Sequence, residues 1–204
     1  MNYCNSWSGV NKTLTGSLCE PLKHRITYFL TRYHEVHDSY GRASIRLGRK
    51  EEPMTKILFV CHGNICRSPM AEFLMKDLVT RKGLAERFEI ASAATSDEEL
   101  GNPVYPPVRT LLAERGISCK GKTARRLCRA DYTHYDYIIG MDAANRRNML
   151  RLFGGDPEGK LSLLMDYTDH PRDVADPWYT RDFRAAERDI EAGCTALLVH
   201  LQNI

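Results

Sequence analysis

The stretch "TKILFVCHGNICRSPMAEFLMKDLVTRKG", residues 55–83, decides the reading of this chain. "TKILFV" is an apolar run with the length and β-rich character of a buried parallel strand. Ser68-Pro69 then reads as a helix cap followed by proline at the first helical position. Beyond it Met70, Phe73, Leu74 and Leu78 fall on one helical face, and Gly83 supplies a stop. The turn between strand and helix holds two cysteines, Cys61 and Cys66, too far apart for a C-x-x-C redox pair. No further cysteine or histidine pair follows at zinc spacing, so no metal site is expected.

Working outward, the same alternation repeats. "FEIASAA", "YDYIIGM" and "KLSLLMDY" read as further strands. "PVRTLLAERG" reads as a helix closing on Gly116, and Asp142 caps another, "DAANRRNMLRLF". A last helix is predicted over about 181–202, with Phe183, Ala186, Ile190, Cys194, Leu197 and Leu201 on its apolar face. Strands alternating with helices imply an α/β fold whose parallel sheet is covered on both faces. Ligands in such folds bind beyond the carboxyl ends of the strands, where the Cys61 turn lies.

The chain has 204 residues, room for one α/β domain and an appendage. It shows no internal repeat, no apolar run long enough to span a membrane and no secretory leader pattern. Seven scattered cysteines do not form a disulfide framework, which points to a reducing cytoplasm. Of the 29 Lys/Arg and 26 Asp/Glu, residues 1–53 hold eight and five, so the remainder is balanced. Residues 54–204 therefore give no electrostatic reason to expect nucleic-acid binding.

The turn has the parts of a phosphate cradle. Gly63 and Asn64 both tolerate positive φ and can turn successive N–H groups into one concavity. The next helix adds its N-terminal dipole and Arg67 a planar guanidinium, together suited to a tetrahedral dianion. Cys61 sits at the floor, where these groups and a hydrogen bond from Ser68 favour thiolate over thiol. A thiolate beneath a bound phosphate is a nucleophile aimed at phosphorus. Its leaving group needs a proton, and "VADPWYTRDF" offers Asp176 beside two aromatics, Trp178 and Tyr179, able to wall a slot for an aryl phosphoester.

"VCHGNICRSPMAE", "SAATS" at 92–96, "YDYIIGMD" at 135–142 and "DPWY" at 176–179 together resemble the low-molecular-weight protein tyrosine phosphatases, from Met54 to the end. The resemblance implies a doubly wound four-stranded parallel sheet flanked by helices. It also implies metal-independent, cofactor-free hydrolysis of phosphotyrosine proteins or aryl phosphates through a phosphocysteine. It makes Cys61 the nucleophile, Arg67 the phosphate clamp, and Asp176 the acid that later serves as base. Ser68 steadies the thiolate, Asn64 bonds toward Ser92 to hold the loop, and Cys66 is a redox partner that traps oxidised Cys61. His62, Gly63 and Ile65 complete the loop, while Trp178 and Tyr179 wall the pocket. Arg115 stands where many relatives have a histidine, and His62 is as readily a solvent-facing residue as a specificity element. A cytoplasmic monomer without nucleic-acid or membrane partners is expected.

Protein arginine phosphatases resemble the chain closely but tend to carry threonine at the position of Ile65. Arsenate reductases of this fold need relay cysteines after the third strand, where this chain has Gly140-Met141. The first 53 residues read as a poorly ordered basic extension. "RKEE" before Met54 is encodable by purine-rich codons resembling a ribosome-binding sequence. An over-extended start is therefore one reading, and a genuine appendage for localisation or partner binding the other.

Overall fold

The computed structural model describes residues 54–203 in full, and residues 33–37 and 43–47 as strands. Strands β1 (Tyr33–His37) and β2 (Ala43–Leu47) pair antiparallel, with Tyr33 opposite Leu47 and His37 opposite Ala43. The expectations of a poorly ordered extension and of an over-extended start otherwise fall outside the described residues. The chain divides between Glu52 and Pro53 into two units.

The second unit begins with β3 (Thr55–Cys61) and helix α1 (Arg67–Arg81), followed by β4 (Phe88–Ala94) and α2 (Pro106–Glu114). Next come α3 (Arg129–His134), β5 (Tyr137–Gly140), α4 (Ala143–Phe153) and β6 (Leu161–Leu163). A short α5 (Pro177–Thr180) and the long α6 (Phe183–Gln202) close the fold. The four strands of this unit are parallel, in the order β4-β3-β5-β6. This is the expected doubly wound sheet.

Alternation along β3 shows why both faces are covered. Ile57 and Phe59 join a core with Met70 and Leu74 of α1 and Ile190 and Leu197 of α6. Leu58 and Val60 point the other way, to Tyr135, Met149 and Leu161. All four strand side chains are fully buried. Each contributes about 1.5–3 kcal/mol relative to exposure, so β3 is a firm base for the turn that follows it. Because β4 lies on one side of β3 and β5 on the other, a crevice opens at the carboxyl ends of β3 and β5.

Several local expectations are corrected. Helix α1 starts at Arg67 with Cys66 at its cap and no side-chain cap bond, so Ser68 is not the cap. Its hydroxyl is buried and committed to the loop instead. The buried face of α1 centres on Met70, Ala71, Leu74, Met75 and Val79, with Phe73 and Leu78 only partly covered. "KLSLLMDY" pairs only over Leu161–Leu163, after which the backbone N–H of Leu163 bonds Asp166 and the chain turns into a 3-10 segment. Helix α6 begins at Phe183 rather than 181, because the Asp182 carboxylate accepts from the Ala185 N–H and caps it. Asp142 caps α4 as expected, accepting from the Asn145 N–H.

Candidate active site

The turn after β3 is built around Asn64. Its φ is 57°, the left-handed region that asparagine tolerates, and its side chain is fully engaged. Nδ2 donates to the hydroxyls of Ser68 at 2.9 Å and Ser92 at 2.8 Å, while Oδ1 accepts from the Arg125 N–H at 3.1 Å. Gly63, in contrast, does not need positive φ. The space there is tight, because a Cβ would stand 3.0 Å from Glu99 Cγ and that side chain would have to shift.

Cys61 ends β3 and is buried, with the Asn64 N–H 3.3 Å and the Ser68 hydroxyl 3.0 Å from its sulfur. The direction of that second bond follows from its neighbours. Ser68 Oγ already accepts from Asn64, so its proton is free to turn toward sulfur, the Ala93 carbonyl being farther at 3.5 Å. Behind it, Ser92 Oγ accepts from Asn64 and donates to Glu72 at 2.6 Å. The Glu72 carboxylate is buried between Lys76 at 2.5 Å and Lys122 at 2.9 Å. Burial works to raise its pKa, but Lys122, Lys76 and the Ser92 hydroxyl prevail and hold it below the usual glutamate range. A charged anchor thus orders a file of hydroxyl and amide dipoles that ends on the Cys61 sulfur.

Arg67 enters the same cleft, almost completely buried. Nη1 donates to Asp142 Oδ2 at 2.6 Å and to the Val174 carbonyl at 3.1 Å, and Nη2 donates to Asp176. Burial works against its charge, yet Cys61, Asp176 and Asp142 together raise its pKa above the ordinary arginine value. Asp176 also accepts from the Trp178 N–H at 3.0 Å and so caps α5. The two aromatics after it are exposed, Trp178 by 44% and Tyr179 by 83%. Trp178 is steadied by an edge-on contact with Tyr105, at 5.6 Å between centroids, and by Arg181 over its ring.

A cavity of about 290 Å³ collects these parts. Cys61, Arg67 and Asp176 line it, as do His62, Gly63, Ile65 and Cys66 from the turn and Trp178 and Tyr179 from α5. Asn64, Ser68 and Ser92 lie behind its floor, all buried. Burial first, then the neighbouring Cys61 and Asp176, push the Cys66 thiol up to about 12. His62 bonds Glu98 at 3.1 Å at the rim. Arg115 pairs with Glu187 at 2.8 Å and Glu191 at 2.7 Å on α6. Sequence reasoning missed Glu72 and Lys122 behind the loop and Glu98, Glu99 and Asn148 on the cleft wall. It saw Asp142 only as a cap.

A strand-end cysteine and an arginine in one turn, facing an aspartate across the crevice of a doubly wound sheet, define a phosphate-cradle α/β protein. A family model described as "Low molecular weight phosphotyrosine protein phosphatase" matches residues 56–204, and the chain belongs to that family. It is 38% identical over 152 residues to the low molecular weight protein-tyrosine-phosphatase YfkJ of Bacillus subtilis, covering 74% of this chain and 97% of that protein. Identity to the Homo sapiens low molecular weight phosphotyrosine protein phosphatase is 34% over 153 residues, 72% of this chain and 96% of the relative. The crystal structure of YfkJ superposes with a TM-score of 0.73 over 75% of this chain and 98% of the other, at 37% identity. That of DARP, the drosophila arginine phosphatase, gives 0.67 at 28% identity, over 72% and 98%. A second family model, the SF0329 protein family, matches residues 6–62.

Proposed function

We propose that residues 54–204 form a protein tyrosine phosphatase domain that hydrolyses phosphotyrosine and aryl phosphate monoesters through a phosphocysteine. The observation that carries this reading is the file of hydrogen bonds from Glu72 through Ser92, Asn64 and Ser68 to the Cys61 sulfur, beside the buried Arg67 guanidinium. A bound phosphate dianion draws the donors of Arg67, freeing the Asp176 carboxylate to take up a proton from solvent and turn toward the ester oxygen. Cys61 Sγ then attacks phosphorus as the phosphorus–oxygen bond breaks, and protonated Asp176 gives its proton to the leaving aryl oxygen. The resulting carboxylate takes a proton from water, which attacks the phosphocysteine and releases inorganic phosphate and the thiolate.

Arg67 clamps the equatorial oxygens, and Asp142 keeps its guanidinium plane in place. His62, Gly63, Ile65 and Cys66 shape the cradle, Asn64, Ser68 and Ser92 support it, and Trp178 with Tyr179 flanks the ring of the substrate. Cys66 serves as the thiol that traps oxidised Cys61. The five described cysteines are free thiols, which supports a reducing cytoplasm as the working compartment. Within this reading the enzyme acts as a monomer, and residues 1–53 are an extension dispensable for catalysis.

Single-turnover hydrolysis of para-nitrophenyl phosphate by the wild type, Cys61→Ser and Asp176→Ala tests the scheme. It requires Cys61→Ser to be inactive and Asp176→Ala to be slowed about 10²–10⁴-fold. The likeness to the drosophila arginine phosphatase supports phosphoarginine as a second substrate class. Ile65 on the cleft wall favours the aryl ester, and a phosphotyrosine peptide tested against its phosphoarginine counterpart separates them.

A further inference from the structure

A second cavity, of about 340 Å³, adjoins the active-site cleft, and Asn148 lines both. Its walls carry Arg126 from the turn before α3, Arg129 from the start of α3 and Arg151 from the last turn of α4, over an apolar base of Leu127 and Leu152. No carboxylate lines it among the described residues. The three guanidinium groups are weakly engaged. Arg126 pairs with Asp97 in an exposed contact at the edge, Arg151 Nη1 reaches Asn148 Oδ1 only at 3.4 Å, and Arg129 has no hydrogen-bond or ion-pair partner among the described residues.

A solvated basic face would need no more than this, but two features set the place apart. It is concave, and it contains Thr95, whose hydroxyl oxygen is buried without a hydrogen-bond partner among the described residues. A buried hydroxyl left unpaired is costly, and the guanidinium groups that line the cavity with Thr95 are suited to hold an anion. Thr95 is also tied to the nucleophile's strand, its N–H donating to the Cys61 carbonyl at 2.9 Å. Glu98 and Glu99 also line the active-site cleft, but neither lines this second cavity. An anionic group beside the phosphotyrosine is therefore accommodated where Asn148 joins the two cavities.

We propose that the Arg126–Arg129–Arg151 cavity is a second anion subsite that takes another phosphate group on the same polypeptide whose phosphotyrosine fills the cleft. This rests on the phosphotyrosine reading above and narrows it to multiply phosphorylated segments.

The test compares two peptides of one sequence, one with phosphotyrosine alone and one with an added phosphoserine a few residues away. They are assayed on the wild type and on the Arg129→Glu/Arg151→Glu double variant, with para-nitrophenyl phosphate as the small substrate. The wild type should favour the doubly phosphorylated peptide about tenfold in kcat/KM, carried by KM, the scale of one charge-assisted hydrogen bond. The double variant should lose that preference with its aryl phosphate kinetics unchanged. No preference in the wild type, or a preference that survives in the variant, overturns the subsite. A fluorescein-labelled peptide bearing only phosphoserine supplies a readout independent of turnover, with vanadate occupying the cleft. Binding to the wild type that is lost in the variant supports the subsite, and equal or absent binding overturns it. Should the wild type hydrolyse neither phosphotyrosine nor aryl phosphate, the cleft reading fails and this binding measurement alone decides the subsite.

Discussion

The Ser68 hydroxyl lies 3.0 Å from the Cys61 sulfur, and its proton is directed there because its oxygen already accepts from Asn64. Ser68→Ala removes the one side-chain donor to the nucleophile among the described residues and leaves an Asn64 N–H without its acceptor. A hydrogen bond to a charged group contributes about 1.5–3 kcal/mol, so turnover should fall roughly 10- to 100-fold. Steady-state kcat for an aryl phosphate, with alkylation of Cys61 by iodoacetamide as a second readout, checks this. An unchanged kcat would remove Ser68 from the mechanism.

Glu72 links the same file of bonds to stability. Against the effect of burial, Lys122, Lys76 and Ser92 hold its folded pKa below the ordinary 4.5. A carboxyl with a depressed folded pKa contributes stability that is complete above its unfolded pKa and is lost as pH falls through the folded one. The Tm difference between wild type and Glu72→Gln should therefore be largest above pH about 4.5 and shrink on acidification. Thermal melts from neutral to acid pH measure it, and a constant difference would contradict the assignment.

Cys66 should behave as an inert thiol until its neighbour is oxidised, because burial and then the adjacent Cys61 and Asp176 push its pKa up to about 12. At neutral pH, brief iodoacetamide treatment followed by peptide mapping should find Cys61 labelled and Cys66 not. Hydrogen peroxide should oxidise Cys61 to the sulfenic acid with release of water, and the sulfenic acid should condense with the Cys66 thiol, releasing a second water and forming a disulfide that a dithiol reduces. Cys66→Ser should retain turnover but fail to recover after peroxide. Equal recovery by both proteins would exclude the trap.

Gly193 tests the packing of α6. An alanine in a helix interior gains about 1 kcal/mol over glycine, yet here its Cβ would stand 2.5 Å from Leu164 Cγ, a fully buried side chain. Overpacking a core costs typically about 1–3 kcal/mol, so Gly193→Ala should be net destabilising. Urea unfolding decides the sign, and a raised midpoint would show that Leu164 yields.

The strands beneath the site were legible because a parallel strand buried on both faces is a continuous apolar run, as in Ile57–Val60. The turn was legible because its chemistry is concentrated in consecutive residues. What stayed hidden was long-range. Asp142 announces itself as a helix cap, and only the fold carries its second oxygen to Arg67, 75 residues away in sequence. Glu72 looks like an ordinary helix-surface acid until Lys122 and Ser92 arrive from other elements. Helix α3, six residues long, is too short to show a period, and β6 ends early because Asp166 captures the Leu163 N–H.

The central claim is that Cys61 carries the phosphoryl group. Rapid quenching of an Asp176→Ala variant during hydrolysis of para-nitrophenyl phosphate, followed by mass spectrometry of its peptides, tests it most directly. A phosphate adduct on Cys61 that forms before product release and is absent from Cys61→Ser is the predicted result. Wild-type turnover by Cys61→Ser, or an adduct on another residue, would contradict the account.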